Sequence, residues 1–138
     1  AAYGMVIPRL VDQALTGQPL TVFGDGTQTR TFTHVTDVVT AILKLLDLPS
    51  AAGQVYNIGG TEEVTMLELA QRIKTLTNSS SPITLVPYDQ VYNRNFQDMP
   101  RRVPDITKLK ETIHYAPTKI LAEILKDVIA DRKETKIV

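Results

Sequence analysis

The stretch Val38-Val39-Thr40-Ala41-Ile42-Leu43-Lys44-Leu45-Leu46 constrains the fold most, because its apolar residues run nearly all the way round a helix before Pro49 stops it. Such a helix demands burial on nearly every side. The chain has the material for it, since 138 residues with 43% hydrophobic side chains suit one globular domain and exclude a disordered or collagen-like chain. Fifteen basic and fifteen acidic residues cancel. That balance supplies no electrostatic footprint for nucleic acid or an anionic membrane, so any charged ligand must be held locally. With no Cys there is no disulfide scaffold and no thiolate metal site. No apolar run approaches the roughly 20 residues of a membrane span. Ala1-Ala2-Tyr3-Gly4 lacks the basic start and apolar core of a signal peptide, and a cytoplasmic location is expected.

Local signals divide the chain into short alternating elements. Pro8 in a first turn, Leu10, Val11, Ala14 and Leu15 on one stripe, and Gly17 just beyond the end predict a helix. Leu20–Phe23 and residues 30–35 are β-prone and flank Gly24-Asp25-Gly26, which predicts a two-stranded ribbon. Thr36 or Asp37 is placed to cap the apolar helix. Val55–Ile58 is expected to form a strand ended by Gly59-Gly60. Thr65-Met66-Leu67-Glu68 has capping-box spacing and opens a helix carrying Met66, Leu69, Ala70, Ile73 and Leu76. Ile83–Val86 follows as a strand and residues 88–104 as a long polar loop. Helices are expected over Asp105–His114 and Thr118 to about Arg132, the latter with Ile120, Leu121, Ile124, Leu125 and Val128 on one face. The sum is a small mixed α/β lobe with four to five helices and about four short strands.

The chemistry is sparse. His34 and His114 lie far apart in sequence, and no ligand set for a metal accompanies them. The serines lack a nucleophile elbow. Gly24-x-Gly26 misses the third glycine of a dinucleotide fingerprint and is followed by a β-run rather than a helix, so a turn is expected. Tyr115-x-x-x-Lys119 has the spacing of a dehydrogenase acid-base pair, but Pro117 breaks the helix that would align the two. Tyr115 is expected to pack between helices instead.

Residues 19–39, Pro19-Leu20-Thr21-Val22-Phe23-Gly24-Asp25-Gly26-Thr27-Gln28-Thr29-Arg30-Thr31-Phe32-Thr33-His34-Val35-Thr36-Asp37-Val38-Val39, closely resemble a segment of the NAD-dependent nucleotide-sugar epimerase/dehydratase family, the extended short-chain dehydrogenases. Matches continue in the family's order at Met5-Val6-Ile7-Pro8, Gln13-Ala14-Leu15, Tyr56-Asn57-Ile58-Gly59, Thr65–Ala70, Arg102-x-Pro104-Asp105-Ile106 and Tyr115-x-Pro117. The resemblance implies that residues 1–138 are the C-terminal nucleotide-sugar-binding part of a Rossmann-type enzyme about twice as long. The NAD-binding turn and the catalytic Tyr/Lys pair would belong to an N-terminal Rossmann domain absent from this chain. On that reading the parent is a homodimeric NAD-dependent enzyme of the UDP-glucose 4-epimerase or UDP-glucuronate decarboxylase kind. On the same reading the chain alone is expected to hold no cofactor, metal or catalytic residue. The alternative is a non-catalytic protein-interaction module on the same fold.

The resemblance also assigns contacts to a UDP- or dTDP-sugar. Arg30 would meet the diphosphate, and Arg102 the diphosphate or ribose, with Arg101 beside it leaving the register open by one. Thr21 and Phe23 would meet the nucleobase through strand-edge backbone and an aromatic face, although Phe23 as plain core is nearly as good a reading. Val6, next to Met5, would meet a phosphate near a helix start, and Gln28 would touch ribose or phosphate or else stabilise the turn. Asn57 and Asp37 are assigned to structure.

Overall fold

The computed structural model describes residues 5–91 and 98–135. Ala1–Gly4 lie outside them, as does part of the 88–104 loop. The described elements run α1 (Val6–Leu15), β1 (Leu20–Phe23), β2 (Thr29–Thr31), α2 (Val35–Leu46), a single 3-10 turn (Pro49–Ala51), β3 (Glu63–Thr65), α3 (Met66–Thr77), β4 (Ile83–Val86), α4 (Tyr88–Val91), β5 (Arg101–Arg102), α5 (Thr107–Ile113) and α6 (Leu121–Thr135). The mixed α/β class holds, with one more helix than expected because α4 forms inside the supposed loop.

The main core is built on the predicted stripe of α1. Ile7, Leu10, Val11 and Ala14 pack with Leu69, Ala70 and Ile73 of α3 and Leu121, Leu125 and Ile129 of α6, with Leu20 and Val22 of β1 among them. A second cluster gathers Ala41, Ile106, Leu109 and Tyr115. α3 opens with the expected capping box: Thr65 Oγ1 accepts from the Glu68 amide at 3.1 Å while the Glu68 carboxylate accepts from the Thr65 amide at 3.2 Å.

β1 and β2 do not form a ribbon with each other. β1 pairs in parallel with β4, Leu20 opposite Ile83, whereas β2 lies between antiparallel β3 and parallel β5. The turn explains the split. The carbonyls of Gly26 and Gln28 accept from the Leu67 and Met66 amides at the start of α3, so they serve that helix rather than a hairpin. Residues 55–58 are not a strand either; Tyr56 and Ile58 pack on the second cluster from an irregular segment. The strand forms instead at Glu63–Thr65, where only Val64 is apolar and alternation gives no signal.

α2 departs from its expected burial. Ala41 and Asp37 are buried, but Val35, Val39, Ile42, Leu43 and Leu46 are exposed, Leu46 to 75%. Its cap is neither of the expected residues: His34 Nδ1 accepts from the Thr36 amide at 3.2 Å. Asp37 instead reaches across the fold, where its carboxylate accepts from the Thr118 amide at 3.1 Å, the Thr118 hydroxyl, and the Lys119 amide at 3.3 Å. α6 follows at Leu121, where the Ile120 carbonyl accepts from the Glu123 and Ile124 amides and Glu62 accepts from the Leu121 amide at 3.0 Å. Asn57 is structural as expected, though not at a strand end, since its Nδ2 donates to the Asp105 carbonyl. Tyr115 is buried with its hydroxyl donating to the Gly59 carbonyl at 3.2 Å, while Lys119 pairs with Asp127 at 3.3 Å. Both side chains of the apparent acid-base pair are thus engaged in structural contacts.

Burial alone would raise the Asp37 carboxyl, but the Thr118 hydroxyl and amide and the Lys119 amide, aided by His34, outweigh it and hold the group below its ordinary value. A lowered carboxyl contributes stability that is present above the unfolded value near 3.9 and lost as pH falls through the folded one. Asp37→Asn should therefore lower stability at pH 7 by about 1 to 3 kcal/mol. It should also flatten the loss of stability below about pH 4, as read by urea melts across pH.

Candidate functional site

A cleft of about 330 Å³ opens between the start of α1, β1, β2 and the segment leading through β5, and Val6, Thr21, Phe23, Gln28, Arg30 and Arg102 all line it. Residues far apart in sequence are thus brought to one surface. Met5 is exposed and is not among the lining residues. Arg9, Tyr88 and Asp98 line the cleft as well. Arg9 stands one turn beyond Val6 on α1, a helical spacing that could have flagged it. Tyr88 and Asp98 fall in the region read as loop and carried no signal.

One edge of β1 is spent on β4, with the Leu20 and Gly24 amides donating to the Pro82 and Val86 carbonyls. Parallel pairing turns the backbone groups of Thr21 and Phe23 to the other edge. Gln13 Oε1 accepts from the Thr21 amide at 3.0 Å, and Gln28 Nε2 donates to the Phe23 carbonyl at 2.8 Å. The second bond fixes the Gln28 amide, because only its nitrogen can serve a carbonyl. Gln28 Oε1 is left as a buried acceptor without a donor among the described residues. The Arg9 guanidinium lies 3.9 Å over the Phe23 ring and donates to Thr21 Oγ1 at 2.8 Å. This gives Phe23 a cation-π partner in addition to its packing.

Arg30 is not an exposed ribbon residue. It is 7% exposed, and its guanidinium donates to the Thr29 carbonyl at 2.7 Å, the Met99 carbonyl at 2.8 Å and Asp98 Oδ1 at 2.5 Å. Those bonds use three of the five N–H donors of a guanidinium. Arg102 sits beside it in register on β5, is exposed, and has no ion pair among the described residues. The neighbouring Arg101 turns away and grips Glu63 at 2.9 and 3.0 Å, which resolves which arginine faces the cleft. Three guanidinium groups and one carboxylate therefore line the site, a surplus of positive charge that suits an anion.

Tyr88 closes one wall. Its ring lies over Gly24, where φ is +71° and an added Cβ would come within 2.5 Å of the ring. Its hydroxyl donates to Asp98 Oδ2 at 3.1 Å. Burial and then the Asp98 carboxylate push the phenol up to about 12, so it is protonated at neutral pH and unsuited to act as a base. No group of three or more potential metal ligands occurs among the described residues. The Gly24–Gly26 turn does not fit a dinucleotide pyrophosphate, because the Leu67 and Met66 amides beside it are already taken by the Gly26 and Gln28 carbonyls.

Fold and site together define a small α/β lobe with a cleft rich in guanidinium groups, and comparison with known proteins shows what such a lobe is similar to. Residues 1–59 match the sequence profile of the NAD dependent epimerase/dehydratase family. The chain is 44% identical to a UDP-N-acetyl-alpha-D-glucosaminuronate decarboxylase of Bacillus cytotoxicus, over 92% of this chain and 39% of that protein. It is 40% identical to UDP-glucuronic acid decarboxylase 1 of Danio rerio, over 91% of this chain and 28% of that protein. It superposes with a TM-score of 0.80 and 30% identity on the UDP-glucuronic acid 4-epimerase of Bacillus cereus in complex with UDP-glucuronic acid and NAD, over 93% of this chain and 40% of that one. The chain is thus similar to the NAD dependent epimerase/dehydratase family over residues 1–59 and to these relatives along more than nine tenths of its own length. It spans well under half the length of these relatives.

Removing the Arg30 side chain strips Asp98 and the Met99 carbonyl of their donor, so Arg30→Ala should lower stability by about 1 to 3 kcal/mol. A thermal melt should place Arg30→Lys between Ala and wild type, because an ammonium keeps the charge without the fork.

Proposed function

We propose that the cleft binds the nucleoside diphosphate of a UDP-sugar, and that the chain is the substrate-binding part of a nucleotide-sugar decarboxylase or epimerase. The observation that carries this reading is the convergence of Val6, Thr21, Phe23, Gln28, Arg30 and Arg102 on one cleft with a surplus of guanidinium groups. The pyrimidine lies against the open edge of β1, where the Thr21 carbonyl is an acceptor for an imide N–H. The ribose donates to Gln28 Oε1, a buried acceptor that otherwise forfeits its hydrogen bond. Arg102 and the remaining donors of Arg30 meet the diphosphate, whose two negative charges match the charge of the site. A phosphate also lies close to Val6 at the start of α1.

The lobe's contribution is positioning, which presents the sugar to groups outside this chain. In the full-length enzyme NAD would supply transient oxidation of a sugar hydroxyl on a preceding Rossmann domain. The apolar face of α2, exposed in this chain, is suited to packing against that domain. The chain alone should convert no UDP-sugar, with or without added NAD.

Binding is tested by isothermal titration of UDP and UDP-glucuronic acid into the full-length polypeptide that carries this sequence. Arg102→Ala should weaken binding on the order of tenfold to a hundredfold, the effect of a lost charged hydrogen bond of about 1.5 to 3 kcal/mol. Its melting temperature should hold, because the side chain is exposed and pairs with no described carboxylate. In the 138-residue chain, UDP should shift the amides of Val6, Phe23, Arg30 and Arg102. Shifts gathered around Tyr115 and Lys119 would overturn the assignment.

A further inference from the structure

Asp98 lines the cleft, and the two oxygens of its carboxylate serve different elements. Oδ1 accepts from Arg30 on β2, and Oδ2 accepts from the Tyr88 hydroxyl on α4. The same guanidinium also donates to the Met99 carbonyl, and the Thr29 amide donates to the Pro100 carbonyl at 2.8 Å. These contacts run directly into β5, which is only two residues long and pairs with β2 at Thr29 and Arg30. So short a parallel pairing fixes little by itself, because few backbone bonds oppose the chain entropy of the segment. Side-chain contacts must supply the rest, and Arg30 with Asp98 supplies them.

The charge arithmetic of the site gives the arrangement a purpose. Asp98 neutralises Arg30 and spends one of its donors, whereas Arg102, one strand over, faces the cleft with no carboxylate partner among the described residues. A long flexible side chain on a poorly anchored strand loses much rotamer and backbone freedom when it grips an anion, which weakens binding. Anchoring the strand beforehand removes the backbone share of that loss.

We propose that Asp98 is a positioning residue for nucleotide binding: its carboxylate clamps Arg30 and Tyr88 together, and through Arg30 it holds β5 so that Arg102 is presented to the diphosphate. This rests on the nucleotide reading of the cleft. Asp98 acts through the two arginines and touches no substrate in this role. Tyr88 is the second jaw; its ring over Gly24 keeps the carboxylate from following Arg30 when a diphosphate draws on the guanidinium.

A double-mutant cycle in the full-length polypeptide decides it, with UDP affinity measured for wild type, Asp98→Asn, Arg102→Ala and the double variant. Asp98→Asn should weaken UDP binding about tenfold. In the Arg102→Ala background the same change should cost no more than about twofold, since residues that act through one contact do not add. In parallel, 13C-tyrosine spectra of Asp98→Asn should show the Tyr88 phenol titrating below its value of about 12, because burial remains but the facing charge is gone. If Asp98→Asn does not fold, Asp98→Glu keeps the charge while displacing it by one methylene, and the same cycle is run with it. Wild-type affinity in the Asp98 variant, tighter binding through a released Arg30, or losses that multiply fully with Arg102→Ala would each overturn the proposal and leave the nucleotide reading intact. A wild-type protein that binds no UDP overturns both.

Discussion

A guanidinium taken out of water must have its donors met or it destabilises whatever surrounds it. Arg30 is such a group, and the way its demand is met organises one end of the lobe. Its carbonyl partners come from its own strand and from the segment before β5, and its carboxylate partner is Asp98. A residue at the centre of a three-stranded sheet therefore recruits a segment almost seventy positions later in the chain, and the cleft is the space enclosed by that recruitment. Were Arg30 apolar, β5 would keep its short pairing with β2 and the grip of Arg101 on Glu63, but the segment carrying Asp98 and Met99 would lose its side-chain anchor.

The other side of the cleft is shaped by glutamines. An open strand edge invites pairing with any passing strand. On β1 the invitation is narrowed, because Gln13 takes the Thr21 amide and Gln28 takes the Phe23 carbonyl. What is left between them is too short for a polypeptide strand to pair with. The Arg9 guanidinium, stacked on Phe23 and bonded to Thr21, stiffens the same edge from the side of α1.

The parts of this fold that could be read from sequence are those whose physics is local. The capping box at Thr65 and Glu68, the stripe of α1 and the turn at Gly24–Gly26 each depend on residues within a few positions of one another. Strand partners depend on distant segments, so residues 20–23 and 30–35 suggested a hairpin that the carbonyls of Gly26 and Gln28 forgo in favour of α3. β3 was invisible because Glu62 and Glu63 mask the single apolar Val64, and their carboxylates serve Arg72, Leu121 and Arg101 instead. For the cleft, resemblance to a family supplied the lining residues on α1, β1, β2 and β5. It did not supply Asp98, whose meaning depends wholly on what it faces. Nor did it foresee that Arg30 would be buried and bound rather than waiting in solvent.

The exposed side of α2 carries a consequence for how the 138-residue chain behaves in bulk. Val35, Val39, Ile42, Leu43 and Leu46 form a greasy stripe on a particle whose formal charge at pH 7 is zero. Without net charge there is no long-range repulsion to keep two such stripes apart, and short-range attraction between them is unopposed. The lobe by itself is therefore a sticky colloid at neutral pH, with a solubility minimum there and a gain on either side as the particles acquire like charge. A Lys or Glu at Val39 or Leu43 would interrupt the stripe without entering either core.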